Sequence, residues 1–350
     1  MREDSHRLPA FLLRAVSYQR NRLRILDQTL LPCRFAYLYP KSATEVAASI
    51  KRLAVRGAPA IGVAAAYGLA VEAKRLPDAR LSQGFEQAAR MLAAARPTAV
   101  NLRWAIVRVM QSVSVRAMSP EETRRAVLAE AQRIETEEVE RSLAMARHGA
   151  KLLTKNADIL TICNTGALAA PGMGTALGVV FQAHLNGKSP RVYACETRPL
   201  LQGSRLTTLE LLRAKIPVTL IADSAAASVI DRCALVLVGA DRIAANGDTA
   251  NKVGTKMLAT LARVARKPFY VVAPSSTFDP ATPSGGTIVV EQRDGEEVRR
   301  FAGCRAAPKG VPVFNPAFDV TPARLITAFI TDRGILKPPY RRSILQLLNR

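Results

Sequence analysis

Ile159-Leu160-Thr161-Ile162-Cys163-Asn164-Thr165-Gly166 is the stretch from which the fold of this 350-residue chain can be read. A run of apolar and β-branched side chains stops at a thiol and passes into a glycine-containing turn, the pattern of a buried strand feeding a loop. Toward the C-terminus the same short apolar run recurs at Val192–Cys195, Val218–Ala222, Leu235–Val238 and Phe269–Ala273, with turn-rich and helical segments between. Such alternation predicts βαβ units whose strands are covered on both faces, and hence a parallel sheet. Residues 151–350 are therefore expected to form a Rossmann-like doubly wound domain. Gly172-Met173-Gly174 lacks a third glycine at the dinucleotide-fingerprint spacing, so no nicotinamide cofactor is implied.

Toward the N-terminus the period changes. Strand character is confined to Arg24–Leu26 and Arg34–Tyr39; then Ser42 and Glu45 stand three apart, as a capping box requires, before an apolar helix. Ser119-Pro120-Glu121-Glu122 is a second such start, with proline at the first helical position, opening a long helix toward Arg147. The uncharged, Ala/Gly-rich run Gly57–Val71, flanked by Arg56 and Glu72, is too short to span a membrane and reads as a buried helix. The expected fold class is α/β: a small, mainly helical N-terminal domain with a short β region over residues 1–150, followed by the doubly wound domain over residues 151–350.

Hydrophobic residues make up 49% of the chain, enough for two buried cores. Cysteines 33, 163, 195, 233 and 304 form no CxxC pair, and with three histidines in all no structural zinc or other metal site is expected. Their odd number fits reduced thiols. The N-terminal MREDSHRLPAFLLRAV mixes acids with bases around a brief apolar segment, unlike a secretory signal, so a cytoplasmic protein with no membrane partner is expected. Fifty Lys and Arg against 28 Asp and Glu give a net charge of +22, which suits an anionic substrate. Aromatics are only 5%, and the basic runs, such as Arg299-Arg300 and Arg341-Arg342, are short, so nucleic acid is not expected as a partner.

In open α/β sheets ligands gather at the carboxyl ends of the strands. Those ends carry Cys163-Asn164-Thr165-Gly166, Glu196-Thr197-Arg198, Asp223-Ser224, Asp241-Arg242 and Ser275-Ser276-Thr277. Cys163 is a candidate base or nucleophile, its thiol expected to gain acidity from a following helix N-terminus; an inert buried cysteine reads equally from the residues alone. Asp241, emerging from Val-Leu-Val-Gly-Ala, is a candidate proton-transfer acid with a raised pKa, or else a loop acid that caps the next turn or pairs with Arg242. Asn246 to Lys256 reads as a polar loop feeding a helix, with Asn251 and Lys252 at the helix start as donors to a phosphate or sugar hydroxyl; surface solvation is the alternative. Arg56-Gly57-Ala58 before the Ala/Gly-rich helix and Arg96-Pro97-Thr98 before another are candidate anion contacts or ordinary turns, and Gln202 could orient a ring hydroxyl where Ser204 nearby reads equally as a helix cap.

Taken together, VRGAPAIGVAAAYGLA (55–70), RPTAVNLRWAI (96–106), ILTICNTGALA (159–169), ETRPLLQGSRLTTLEL (196–211), IPVTLIADS (216–224), VGADRIAANGDTANKVGTKMLA (238–259), PFYVVAPSSTFD (268–279) and VFNPAFDVTPARLITAFITDRGIL (313–336) resemble the methylthioribose-1-phosphate isomerase family, which belongs with the regulatory subunits of eukaryotic initiation factor 2B. The resemblance implies a catalytic Cys163 and Asp241, phosphate and sugar contacts from Arg56, Gly57, Ala58, Arg96, Gln202, Asn251 and Lys252, no metal or other cofactor, and a homodimer. It implies isomerisation of 5-methylthioribose 1-phosphate to 5-methylthioribulose 1-phosphate in methionine salvage. Ribose 1,5-bisphosphate or 5-deoxyribose 1-phosphate are alternative substrates, and a non-enzymatic, translation-factor-like regulatory subunit is the reading from another class. Two departures stand beside the implied site: Ile162 where the family commonly has His, and Ser224-Ala225-Ala226-Ala227 where Asn-Met-Ala-Gly is usual.

Overall fold

The structure, a computed structural model, describes residues 8–96, 100–113, 118–301 and 303–349. Strands β1 (Val16–Gln19), β2 (Arg22–Leu26) and β3 (Tyr37–Leu38) form a small antiparallel sheet in the order β1-β2-β3. The expected strand over Arg34–Tyr39 shortens to two residues, and β1 was not foreseen. It exists because Arg20 and Asn21, at φ 47° and 63°, make a two-residue hairpin turn that lays β1 against β2.

Five helices follow: α1 (Ala43–Lys51), α2 (Ala58–Arg75), α3 (Leu81–Ala93), α4 (Val100–Gln111) and α5 (Pro120–Ala150). Both anticipated caps are present. Ser42 accepts from the Glu45 N–H, and Ser119 and Glu122 form a reciprocal box in which the Glu122 carboxylate accepts from the Ser119 N–H at 2.8 Å. Helix α2, the Ala/Gly-rich run, is buried almost all round beneath α1, α4 and α5. Val127, Ala131 and Ile134, one stripe of α5, join this N-terminal core, whereas Met145, Ala146 and Ala150 of the same helix join the next one.

The C-terminal half runs β4 (Asp158–Thr161), α6 (Ala176–Leu185), β5 (Arg191–Cys195), α7 (Thr208–Arg213), β6 (Val218–Ile221), α8 (Ala226–Val229) and β7 (Leu235–Val238), then β8 (Arg242–Ala244), β9 (Thr249–Lys252), α9 (Thr255–Val264) and β10 (Phe269–Val272). After β11 (Phe278–Asp279) come α10 (Glu296–Arg299), β12 (Arg300–Phe301), β13 (Cys304–Arg305), β14 (Phe318–Thr321), β15 (Ala328–Thr331), β16 (Gly334–Leu336) and α11 (Tyr340–Leu348). The main sheet has the order β16-β15-β10-β7-β4-β5-β6, parallel throughout except at the β16 edge. All five expected strands are in it. The last two were not read from the sequence.

Alternation along the strands explains the layers. Ile159, Leu235 and Leu237 face a core built with α5 and α6, while Leu160, Val236 and Val238 face a second core built with α8, α9 and α11. Every side chain of β7 is buried, and each contributes about 1.5–3 kcal/mol of gross burial energy. From β4 the chain winds outward through β5 and β6, then returns to lay β7 against the other side of β4. The strand order reverses between β4 and β7, which is where a crevice opens in a doubly wound sheet.

A second sheet, β11-β8-β9-β14, corrects the expectation of a polar loop from Asn246 to Lys256. Thr249 to Lys252 form strand β9, antiparallel to β14 with Asn251 opposite Asp319 and Lys252 opposite Phe318. The helix begins only at Thr255, after Gly254 at φ 100°. Polarity misled here because β9 has its polar side chains buried toward a site rather than solvated.

Candidate active site

Cys163 and Asp241 leave the ends of neighbouring strands, β4 and β7, and both line one cavity at the sheet's switch point. Arg56, Gly57, Ala58, Arg96, Gln202, Asn251 and Lys252 line the same cavity, so the structure brings all the predicted site residues together. Pro97 and Thr98 lie outside the described residues.

Cys163 sits at φ 65°, a left-handed conformation uncommon for a residue with a Cβ and one that occurs at functional turns. The turn is held from both sides: the Cys163 N–H donates to Thr197 Oγ1 at 2.8 Å, and the Cys163 carbonyl accepts from Thr207 Oγ1 at 2.6 Å. The thiol is nearly buried and lies 3.7 Å from Arg56 Nη1. Arg56 Nη2 donates to the Asn164 side-chain oxygen at 2.7 Å and to its backbone carbonyl at 3.1 Å.

Gly57, at φ 89°, begins α2 against the Ala169 loop; a Cβ there would lie 2.2 Å from the Ala169 carbonyl oxygen. Glycine is thus required for the approach that brings Arg56 over the cysteine turn. Because first-turn N–H groups have no intrahelical acceptor, the start of α2 at Ala58 adds a partial positive charge at the cavity wall.

Burial pushes the Asp241 carboxyl above the usual range, with Glu291 adding to the rise and Arg96, Lys252 and Arg56 opposing it. Its neighbour Arg242 pairs instead with Asp279 at 3.3 Å, which removes the alternative of an Asp241–Arg242 ion pair as the reason for the acid. Burial lowers the Lys252 pKa, helped by Arg96 and Arg56 and opposed by the Cys163 and Asp241 charges. The ammonium donates to the Ala317 carbonyl at 2.9 Å and rests 5.1 Å from the centre of the Phe318 ring.

Among the described residues, six buried side-chain polar atoms have no hydrogen-bond partner, and three of them, Arg56 Nε, Arg96 Nε and Gln202 Oε1, belong to residues of this cavity. Two buried guanidinium donors and a buried amide acceptor are costly to leave unmet. Their concentration here marks a place built for a polar, anionic ligand. Leu53, Pro59, Ala169, Ala170, Leu200 and Phe318 give the cavity an apolar part of its wall.

Not every strand end serves the cavity. The Asp223 carboxylate accepts from the Thr197 and Arg198 N–H groups at 2.8 and 2.7 Å, bracing that loop, and Ser275 is tied to Asp332. The side chain of Ile162 joins the core beneath the site, its Cδ1 lying 2.6 Å from where a Cβ on Gly254 would be. Ser224 and Ala225 precede α8 and lie outside the cavity lining.

The sequence reading missed Arg293 and Glu291. Arg293 lines the cavity, paired with Glu297 and, at 3.0 Å, with Glu291, which also reaches Arg96 at 3.4 Å. They stand in Glu-Gln-Arg-Asp-Gly-Glu-Glu, a charge run that reads as solvated surface. Asp319 was also missed. Its carboxylate accepts from the Gly254 and Lys256 N–H groups at 2.7 and 3.0 Å, capping α9, and burial pushes it up to about 6 against the pull of those donors.

Comparison with known proteins places this arrangement. The model of the initiation factor 2 subunit family matches residues 54–338. Methylthioribose-1-phosphate isomerase of Pelotomaculum thermopropionicum is 54% identical over 331 residues, 92% of this chain and 90% of that one. The protein of the same name from a Thermoanaerobacter species is 48% identical over 96% of this chain and 99% of its own length. Among solved structures, 5-methylthioribose 1-phosphate isomerase from Pyrococcus horikoshii shares 44% identity with a TM-score of 0.88, covering 97% of this chain and 96% of that one. A structure from A. fulgidus described as translation initiation factor eIF-2B, subunit delta, shares 42% identity with a TM-score of 0.85, covering 97% and 100%. The chain belongs to the initiation factor 2 subunit family and, within it, to the methylthioribose-1-phosphate isomerases.

Proposed function

We propose that this protein is an aldose–ketose isomerase that converts 5-methylthioribose 1-phosphate to 5-methylthioribulose 1-phosphate, a step of methionine salvage. The observation that carries the reading is the meeting of Cys163 and Asp241 in one cavity with Arg56, Arg96 and Lys252.

The substrate dictates what those groups do. A phosphate on the anomeric oxygen blocks the ring opening available to a free hemiacetal, so the ring oxygen needs an acid. Asp241, whose raised pKa favours the protonated form, gives its proton to the ring oxygen as the bond to C1 breaks. Cys163 as thiolate removes the proton from C2, leaving a C1–C2 enol that still carries the phosphate. Asp241 then takes the proton of the 2-hydroxyl while the Cys163 thiol returns its proton to C1, and the ketone forms at C2. Two protons are delivered and two removed, so both side chains end as they began. Each transfer contributes roughly 10²–10⁴-fold. Arg56, Arg96, Lys252 and the start of α2 hold the phosphate dianion and oppose its elimination from the enol.

The wall of Leu53, Ala169, Ala170, Leu200 and Phe318 suits an apolar 5-substituent. Arg293 is already neutralised by Glu291 and Glu297, which leaves it a poor anchor for the second phosphate of ribose 1,5-bisphosphate. The A. fulgidus relative's description names a translation factor, and the cysteine and aspartate facing one cavity favour the enzyme for this chain. We further propose a division near residue 150, supported by the two sets of core residues that α5 joins, and a cytoplasmic homodimer, which light scattering at micromolar concentration tests.

Turnover of the sugar phosphate by the purified protein, with Cys163→Ser and Asp241→Asn beside it, tests the main reading. Conversion by the wild type that both variants lose while keeping their circular dichroism supports it. No conversion by the wild type overturns it.

A further inference from the structure

The cavity has a carboxylate beneath it that the chemistry above does not use. Glu210, in α7, is 3% exposed and forms no ion pair among the described residues. Its Oε2 accepts from Asn164 Nδ2 at 2.6 Å and its Oε1 from the Leu168 N–H at 3.2 Å. A Cβ on Gly166 would lie 2.3 Å from Oε2, so the glycine of the cysteine turn is what lets the carboxylate press so near. Thr207, three residues earlier on the same helical face, donates to the Cys163 carbonyl.

We propose that Glu210 is a positioning residue for the anion site: by fixing the Asn164 amide it holds the Arg56 guanidinium over the cysteine turn.

The argument rests on donor and acceptor inventories. An ionised carboxylate only accepts and a guanidinium only donates, so an amide between them has one satisfactory orientation, Nδ2 toward Glu210 and Oδ1 toward Arg56. The observed bonds are those two, at 2.6 and 2.7 Å. With a neutral partner at 210 only the longer bond from Nδ2 to Thr207 Oγ1, at 3.3 Å, still holds the amide, and a turned amide would set its NH₂ against the guanidinium. Arg56 then keeps only the Asn164 backbone carbonyl, at 3.1 Å, and loses the shorter side-chain bond that helps aim its remaining N–H groups into the cavity, where Nε has no protein partner. A buried carboxylate with no cation in contact is costly to keep, as the rise of Glu210 to about 7 reflects: burial drives it, against Asn164, the Leu168 N–H and the more distant Arg56 charge. A carboxylate kept at that cost purely for packing would be better replaced by an apolar side chain. Its effect on Arg56 gives it a use.

The inference builds on the reading of this cavity as a phosphate site, and the experiment separates the two. Sulfate binding to the purified protein is measured by calorimetry for the wild type, Glu210→Gln, Asn164→Ala and the double variant, and KM and kcat for the sugar phosphate are measured in parallel. Each single variant is expected to weaken sulfate roughly tenfold, the double variant to be no weaker than the singles, and KM to rise while kcat changes less than roughly threefold. Wild-type affinity for sulfate in Glu210→Gln with only a lower Tm makes Glu210 structural and overturns the inference, as do additive effects in the double variant. Should Glu210→Gln fail to fold, Asn164→Ala decides alone, because unchanged sulfate affinity there breaks the relay. Sulfate binding that responds as expected in a protein with no turnover sinks the isomerase reading and leaves Glu210's role standing.

Discussion

Gly57→Ala offers a demanding check on the geometry of the site. The added methyl would meet the Ala169 carbonyl oxygen at 2.2 Å and its Cα at 2.5 Å, and the residue sits at φ 89°, where a Cβ is strained whatever the space. The backbone strain costs about 1–3 kcal/mol. Relieving the overlap by shifting backbone against backbone costs about 1–3 kcal/mol more. The sum, about 2–6 kcal/mol, is a large share of the 5–15 kcal/mol that holds a typical domain together. Because Arg56 is the adjacent residue, whatever shift relieves the overlap moves its guanidinium relative to Cys163 and Asn164, and a displacement of about 1 Å lowers kcat/KM roughly 10²-fold. Gly187→Ala is the control: it too has positive φ, 75°, but nothing lies within 4 Å of its added methyl. Urea unfolding and steady-state kinetics on the pair separate strain from collision. Gly187→Ala should lose about 1 kcal/mol and keep kcat/KM. A Gly57→Ala protein with the stability loss of the control and wild-type kcat/KM would refute the claim that this contact places Arg56.

Other outcomes follow from the same site. Asp241→Asn should lower kcat roughly 10²–10⁴-fold with sulfate affinity retained, and in the wild type kcat/KM should fall as pH rises through the raised Asp241 pKa, since the acid form is the one that opens the ring. In heavy water the product should carry deuterium at C1, because a proton resting on a cysteine exchanges with solvent; full retention of a C2 label at C1 would instead mean a direct hydride shift. For Asp319 the folded carboxyl titrates near 6 and the unfolded one near 3.9, so between those values the folded state binds more protons and stability falls as pH rises. Asp319→Asn should flatten that part of the stability curve, measured by urea unfolding from pH 4 to 7.

Periodicity made most of the architecture legible. Four of the five apolar runs before residue 274 are strands covered by the sheet's two layers, the run at Val218–Ile221 is its exposed edge, and the two helix starts were visible as side chains three apart. What escaped were elements whose residues take their meaning from distant partners. Asn251 and Lys252 look like loop because they are polar, yet they form a strand opposite Phe318 and Asp319, far along the chain. Strand β15 hides beside a run of turn residues, and Arg293 and Glu291 sit in a charged stretch that folds back to the cavity. Glu210 gave no signal at all: a helical glutamate looks solvated until the fold buries it under Asn164. The strand-end rule found Cys163 and Asp241, but it also nominated Asp223 and Ser275, whose side chains are taken up by the Thr197 and Arg198 N–H groups and by the Asp332 carboxylate.

The return of the chain from β6 to β7 has a consequence for how the protein comes to be. The two reacting side chains sit on adjacent strands, but Ile159 cannot pair with Leu235 until everything between has been laid down and wound back. The site is therefore made of contacts of high sequence separation, whose loop-closure entropy must be met before they stabilise anything. A nascent chain emerging from the ribosome can complete α2, α5 and β4 with its cysteine turn exposed and chemically idle. Competence arrives late, after β7 has closed on β4 and β9 has paired with β14, so a partly synthesised or partly unfolded molecule holds a free thiol but no isomerase.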